Sequence, residues 1–439
     1  KPSIGFVAGV SMLVSGMLNA ESFAMPGIVW RLMEAPGAML AMWAVGGVCA
    51  FCGSLSYAEL GTMLPHSGAE QVYLAHCYKR PHRLLSFLFA WSVIVTDGGG
   101  ATGLDFENEW TTRGIGLCCL VTIAILNALS SRWTNRLHSV MAVVKVLVML
   151  MIILLGFAAL AGGIRVQNPG NWRQPFAQSA PSLYAYAQAF ISVNWTLGGW
   201  NWLNYSVNEM KRPERTLPIT VISSLGLVTL LVLLVSVVYT LVIPAEVAFA
   251  ANQIIAAAFG VIIFGQRVGQ VLMPAIIALV AYGTASVYIY ALSRSTHVAA
   301  CRKYLPYSHL LSRVDRSSNA PRNAIVFNTC CVALFLVAPP PGSAFRFLVS
   351  LASFPSYIFY TIVLAGLILL RYTEPATARP FRVWVPLTVI ALLSGLAVCA
   401  SLLVPPSAYD ERHGTATDVP FYLAPLVGFV VACCGTPLW

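Results

Sequence analysis

The sequence predicts an all-α polytopic membrane protein of about 12 transmembrane helices, with the first and sixth interrupted halfway across. Three observations carry that prediction. Of 439 residues, 58% are apolar and only 10% charged, mean hydropathy is +0.75, and long apolar runs recur from end to end. No soluble domain needs so much apolar surface. Basic residues concentrate in alternate loops, and two apolar runs carry Gly, Pro or charged residues at mid-length.

The apolar runs are 4–29, 37–57, 84–95, 114–129, 140–161 and 185–207, then 219–243, 272–292, 324–337, 347–370, 385–404 and 421–435. They divide a single transporter domain into a first half of about 4–163, a second of about 185–370, and extra helices at about 385–435. With both termini in the cytosol, eighteen of the 26 Lys and Arg fall inside, seven outside, and Lys145 alone within a span. That asymmetry is the positive-inside rule at work. A rival span at 247–264 is apolar enough to tempt, but it contains Asn252 and Gln253 and would move Arg294 to Arg322 outside. It is expected to be a helical hairpin or cap lying on the extracellular side.

The third run is short. Twelve uncharged residues make about 18 Å of helix, against a hydrocarbon core of about 30 Å. Extension toward Val72 is expected, with Lys79, Arg80 and Arg83 snorkelling to the inner interface. The segment Thr96-Asp97-Gly98-Gly99-Gly100 then ends it.

Several function classes drop out. A net charge of +10 could suit nucleic acid, but the charge sits in short loops between spans and reads as membrane topology. The 11 cysteines lie mostly within apolar runs, often as neighbours that face different sides of a helix, and read as small apolar fillers. The seven histidines are scattered, so no metal or other cofactor is expected. No nucleophile–base set suggests an enzyme. The chain starts at Lys1, directly before its first apolar run; a cytosolic tail is expected ahead of it, and no cleavable signal peptide is read.

The stretch 193–218, VNWTLGGWNWLNYSVNEMKRPERTLP, organises the rest. Adjacent glycines in an apolar helix weaken it and let backbone approach a ligand. Within lipid, unpaired backbone survives only where protein buries it or where it lines a cavity. The matching break is expected in the first run, LNAESFAMPG from Leu18 to Gly27, where Pro26 removes an amide and obstructs the bond to Ser22. Runs one and six are five apart, as a 5+5 inverted repeat requires. Freed amides and helix dipoles suit a carboxylate, freed carbonyls an ammonium, and together they suit a zwitterionic amino acid. An ordinary proline kink and a glycine packing contact are the plainer alternatives.

Lys145 is the basic residue deep within a span. An intramembrane ammonium is costly and marks function by default. It can occupy a coupling cation's place by holding the carbonyls of the broken first helix, or snorkel inward. Glu21 can pair with Lys145, supply a titratable carboxylate, favour a cationic substrate, or stand as a protonated core carboxyl. Glu59 and Glu70 read as helix-cap or gate residues beside a cytosolic turn. Asp105, Glu107 and Glu109 read as a solvated extracellular loop.

SLSYAELGTMLPHSGAEQVYL, GGWNWLNYSVNEMKRPERTLP, Lys145 in its helix, ARPFRVWVPL and FYLAPLVG resemble the amino acid–polyamine–organocation superfamily. Within it the chain resembles L-type amino acid transporters and fungal methionine permeases over nearly its whole length. The resemblance implies a LeuT-like 5+5 fold with two added helices and sodium-independent amino acid transport by alternating access. It implies substrate contacts at Trp195, the aromatic gate position, at Leu197, Gly198 and Gly199 of the unwound segment, and at Asn201. Lys145 matches the lysine that stands in for sodium. The family's Gly-Ser/Thr-Gly-Ile-Phe corresponds here to Asn19-Ala20-Glu21-Ser22-Phe23, so larger side chains occupy the first break. The third helix and its following loop are compressed, and no cysteine between Trp91 and Arg113 offers a disulfide to a heavy-chain partner. The expected protein is a plasma-membrane permease for methionine or other neutral amino acids, driven by protons or exchange. A non-transporting nutrient sensor or inactive paralogue, and a cationic amino acid or polyamine transporter, are the alternatives.

Overall fold

Backbone that meets lipid must satisfy its own hydrogen bonds, and apolar runs of this length do so as helices. The computed structural model describes residues 4–81, 83–96, 109–162, 169–177, 179–250, 255–315, 320–337, 344–412 and 422–436. Among these there is no strand, only an isolated bridge between Ile4 and Met210.

In chain order the first helices are α1 (Phe6–Met17), α2 (Glu21–Met33), α3 (Pro36–Met63), α4 (Glu70–Cys77), α5 (Leu84–Thr96), α6 (Glu109–Leu129), α7 (Ser131–Leu160) and α8 (Leu183–Thr196). A 3-10 segment, Trp202–Glu209, follows. Then come α9 (Pro213–Val242), α10 (Ala245–Ala250), α11 (Ile255–Phe264), α12 (Gln266–Cys301), α13 (Ser308–Leu311), α14 (Arg322–Val337) and α15 (Ala344–Thr373). The last are α16 (Val385–Ser401), α17 (Ala408–Arg412) and α18 (Leu423–Cys434). Among the described residues, five helices are long and apolar enough to cross a membrane: α3, α7, α9, α12 and α15. The pair α1 and α2 would make a sixth, bent by 45° at its break. Shorter apolar helices, α5, α6, α14, α16 and α18, lie in five of the remaining runs, and α11 is a further one outside them.

The broken helix α1 is the hub, packed against α7, α9 and α12. Its Met12, Leu13, Val14 and Met17 are fully buried in one apolar cluster with Leu225, Val228, Val232 and Val235 of α9. Other faces show the reverse pattern. On α7, Val140, Val143, Leu147, Leu150, Leu154 and Phe157 recur at helical spacing and are all exposed. A continuous exposed apolar stripe is a surface made for lipid tails.

Three expectations change. Leu84–Thr96 does not continue back to Val72. The chain turns at Tyr78 to Pro81, and α4 packs beside α5 as a separate helix. The first helix breaks at Leu18–Ala20 rather than at Pro26, which sits within α2. The sixth run does not resume as an α-helix after its glycines but as a 3-10 segment, irregular at Ser206 (φ −121°, ψ 20°). The expectation that 247–264 is not a span is in keeping with α11, whose 10 residues make about 15 Å of helix. It packs on α2 and α12. The glycine-rich stop after Thr96 and the acidic positions Asp105 and Glu107 lie outside the described residues.

Glu59 is no cap. It lies inside α3, fully buried, and takes Arg371 (2.5 Å), Arg379 (3.1 Å) and the Val383 amide (2.8 Å). A buried carboxylate between two guanidinium groups ties α3 to the end of α15 and the start of α16.

Candidate functional site

The first break is built by its own side chains. Leu18 leaves the helix (φ −76°, ψ 84°), and Asn19 then caps α2 by accepting from the Ser22 amide (2.9 Å) and hydroxyl (3.0 Å). Asparagine is a favoured residue for that task, because its oxygen satisfies one of the orphan amides of a helix start. Its amide group donates to Glu21 Oε2 (3.0 Å), so Asn19 and Glu21 together occupy the mouth of α2. Ser22 is buried, and its hydroxyl also reaches the Met17 carbonyl (3.4 Å).

Lys145 reaches this break from α7. Its Nζ donates to the Ser15 carbonyl (2.5 Å) and the Thr284 hydroxyl (2.7 Å), and the side chain is fully buried. Thr284, on α12, in turn lies 3.4 Å from both the Ser15 and Leu18 carbonyls. Three helices thus converge on carbonyls that the break releases from α1. Gly283 makes room: a Cβ there would stand 3.2 Å from Lys145 Cε. No ion pair joins Lys145 to Glu21 among the described residues.

The second break runs from Leu197 to Asn201. Leu197 is buried in the core, and Gly199 adopts φ +90°, a conformation side chains resist. Gly198 turns back to the Trp195 carbonyl (3.0 Å). The two breaks touch. A Cβ on Gly16, two residues before the first break, would lie 2.7 Å from the Trp202 ring that follows the second. Across the same gap α8, which carries Trp195, packs against α2, which carries Glu21.

Asn19, Ala20, Glu21, Ser22, Trp195, Leu197, Gly198, Gly199 and Lys145 therefore lie around one junction. Asn201 faces elsewhere. It is buried and donates to Glu70 Oε1 of α4 (2.7 Å) and to the Tyr360 hydroxyl of α15 (3.1 Å). Glu70 opens α4 but is fully buried. Tyr57, Trp200 and Tyr360 stack edge to face or tilted, with centroids 5.0 to 6.0 Å apart. Gly16, Trp202, Thr284 and the bonds of Asn201 to Glu70 and Tyr360 are not singled out by the sequence. Thr284, a hydroxyl beside a glycine in an apolar run, carried a usable signal; the others become visible only when distant segments meet.

The amino acid permease family matches residues 4–431. The chain is 27% identical to the high-affinity methionine permease of Saccharomyces cerevisiae, over 96% of this chain and 75% of that protein. It is 28% identical to the human b(0,+)-type amino acid transporter 1, covering 92% and 83%. Against the human cystine/glutamate transporter it is 27% identical, covering 100% and 85%. These relatives are transporters rather than enzymes. Lipid-facing helices, paired breaks and a match over nearly the whole chain lead to one statement: this multi-pass membrane protein belongs to the amino acid permease family of the amino acid–polyamine–organocation superfamily.

Proposed function

We propose that the chain is a sodium-independent permease for methionine or another neutral L-amino acid, working by alternating access in the plasma membrane with both termini cytosolic. In this reading the halves 4–163 and 185–370 form a LeuT-like 5+5 inverted repeat, and 385–435 adds two helices. The supporting observation is the meeting of two broken helices at Gly16 and Trp202, with the Lys145 amine on the Ser15 carbonyl. The positive end of α2 suits a carboxylate, while Glu21 and the carbonyl end of α8 suit an ammonium. Lys145 takes the place a coupling cation would hold, so no sodium is needed, and no disulfide-linked heavy chain is invoked.

One observation favours a second reading. Asn19 already occupies the Ser22 amide, and Glu21 places a carboxylate where a substrate carboxylate would bind. A chain closed in this way fits a non-transporting nutrient sensor. Uptake of labelled methionine by reconstituted vesicles, with choline replacing sodium, separates the two. The permease accumulates methionine saturably, and Glu21→Gly raises the rate. Lysine competing better than methionine moves the substrate to the cationic class. No accumulation above protein-free vesicles by either chain sinks the permease reading.

A further inference from the structure

The sequence ends α15 with Arg371 and then places Arg379 and Arg382 within the next eleven residues, before α16 begins. The three guanidinium groups line one cavity of about 230 Å³, with Pro375 and Thr377 completing it. Glu59 is the carboxylate bound to Arg371 and Arg379, so three positive groups face one negative group. The nearby Glu374 is taken by Lys79 (2.8 Å) and His76 (3.0 Å). Arg371 and Arg379 are each 7% exposed. Arg371 uses Nη2 for Glu59 and the Val383 carbonyl, while its buried Nε has no partner among the described residues. Arg379 spends Nη2 on the Leu370 and Glu374 carbonyls, which neutralises the negative end of α15. Arg382 is exposed and unbonded among the described residues.

A cavity with an excess of two positive charges, one of them the exposed Arg382, is built to receive an anion. Phosphate matches it, since guanidinium forks bind phosphate oxygens bidentately. Its depth is set by two aromatic residues. Tyr372, at the end of α15, and Trp384, just before α16, bracket the loop that carries these arginines, each 79% exposed. Exposed Tyr and Trp at a helix end mark the headgroup level of a bilayer, and the arginines belong to the basic, inner set of loops. Basic pockets at that level attract anionic lipid headgroups.

We propose that Arg371, Arg379 and Arg382 form a binding site for a phosphate-bearing anion, supplied by the headgroup of an anionic phospholipid in the inner leaflet. Occupation adds a negative group to the clamp that joins α3, α15 and α16, so the bound headgroup stabilises the fold. The site is separate from the junction of the broken helices and stands whether or not the chain transports.

The test measures thermal unfolding of the full chain in phosphatidylcholine nanodiscs, with and without a phosphatidylinositol phosphate. Arg382→Gln is the main variant, because Arg382 is exposed and makes no contact the fold needs. Arg313→Gln, an exposed inner arginine away from the cavity, is the control. Wild type and Arg313→Gln are expected to be stabilised by the lipid, and Arg382→Gln to need about tenfold more lipid or greater for the same shift, as loss of one charge-assisted contact implies. Soluble inositol phosphate or inorganic phosphate added to plain phosphatidylcholine discs distinguishes the sources. An equal shift from either overturns the lipid assignment and leaves a free phosphate as ligand. No shift with any of the three, or an undiminished shift in Arg382→Gln, overturns the site.

Discussion

Replacing Lys145 by methionine keeps the length of the side chain and removes its donor. In the wild type that donor holds the Ser15 carbonyl (2.5 Å) and the Thr284 hydroxyl (2.7 Å), joining α7 to α1 and α12. Without it the Ser15 carbonyl keeps only the longer contact to Thr284 at 3.4 Å. A buried polar group left unsatisfied costs about 1–3 kcal/mol. Part of that is returned, because methionine removes a buried amine that has no acidic partner. A net cost of about 2 kcal/mol corresponds to about a thirtyfold rise in the population in which α1 is released from α7. Hydrogen exchange in residues 6–18, followed by mass spectrometry in nanodiscs, reads this directly and does not depend on transport. The expected result is exchange of the last α1 turn faster by roughly that factor, with the apolar interior of α9 unchanged. Unaltered exchange in Lys145→Met would refute the idea that this amine fixes the broken helix.

Gly16→Ala pushes a methyl group into the Trp202 ring, which would lie 2.7 Å away, and should lower the melting temperature by several degrees. Trp202→Leu should relieve that clash in the double variant, a coupling that a double-mutant cycle measures. Gly199→Ala, at φ +90°, should cost about 1–2 kcal/mol by denaturant titration, since a Cβ is strained there. Glu59→Gln should destabilise by about 3–5 kcal/mol, because Arg371 and Arg379 are left buried without their counter-charge. Hydrogen bonds from Lys79 and His76 hold the Glu374 carboxyl below its ordinary value. The stability it adds is thus present above the carboxyl's unfolded pKa and lost as pH falls through the lower, folded one. Melting temperature in Glu374→Gln should lack that acid-side decline.

Much of the architecture was legible because its causes are local. Gly198-Gly199 announces a helix break through its own backbone freedom, and the structure opens there. Exposed apolar stripes such as Val140 to Phe157 follow from helical periodicity alone. The first break was located less well. Pro26 looks like the disruption, but proline near a helix start is tolerated, and α2 simply carries it in its second turn. The actual break sits where Asn19 can cap a new helix, a preference that outweighs the proline. From sequence Glu59 and Glu70 read as helix-cap or gate residues beside a turn, because that is where charge near a helix end usually serves. Their partners, Arg371, Arg379 and Asn201, lie more than a hundred residues away, and only packing of α3 and α4 against α15 and the second break unites them. The third run ends short for a similar reason: nothing local shows that Tyr78 to Pro81 turns the chain instead of lengthening α5.

The central claim is that one zwitterion is gripped by both breaks together. Hydrogen exchange at residues 18–22 and 197–201, measured on the reconstituted chain with and without methionine, tests it most directly. The account expects saturable protection of both segments over one concentration range, lost in Gly199→Val. Protection confined to one segment, or none at either while methionine binds elsewhere, would contradict it.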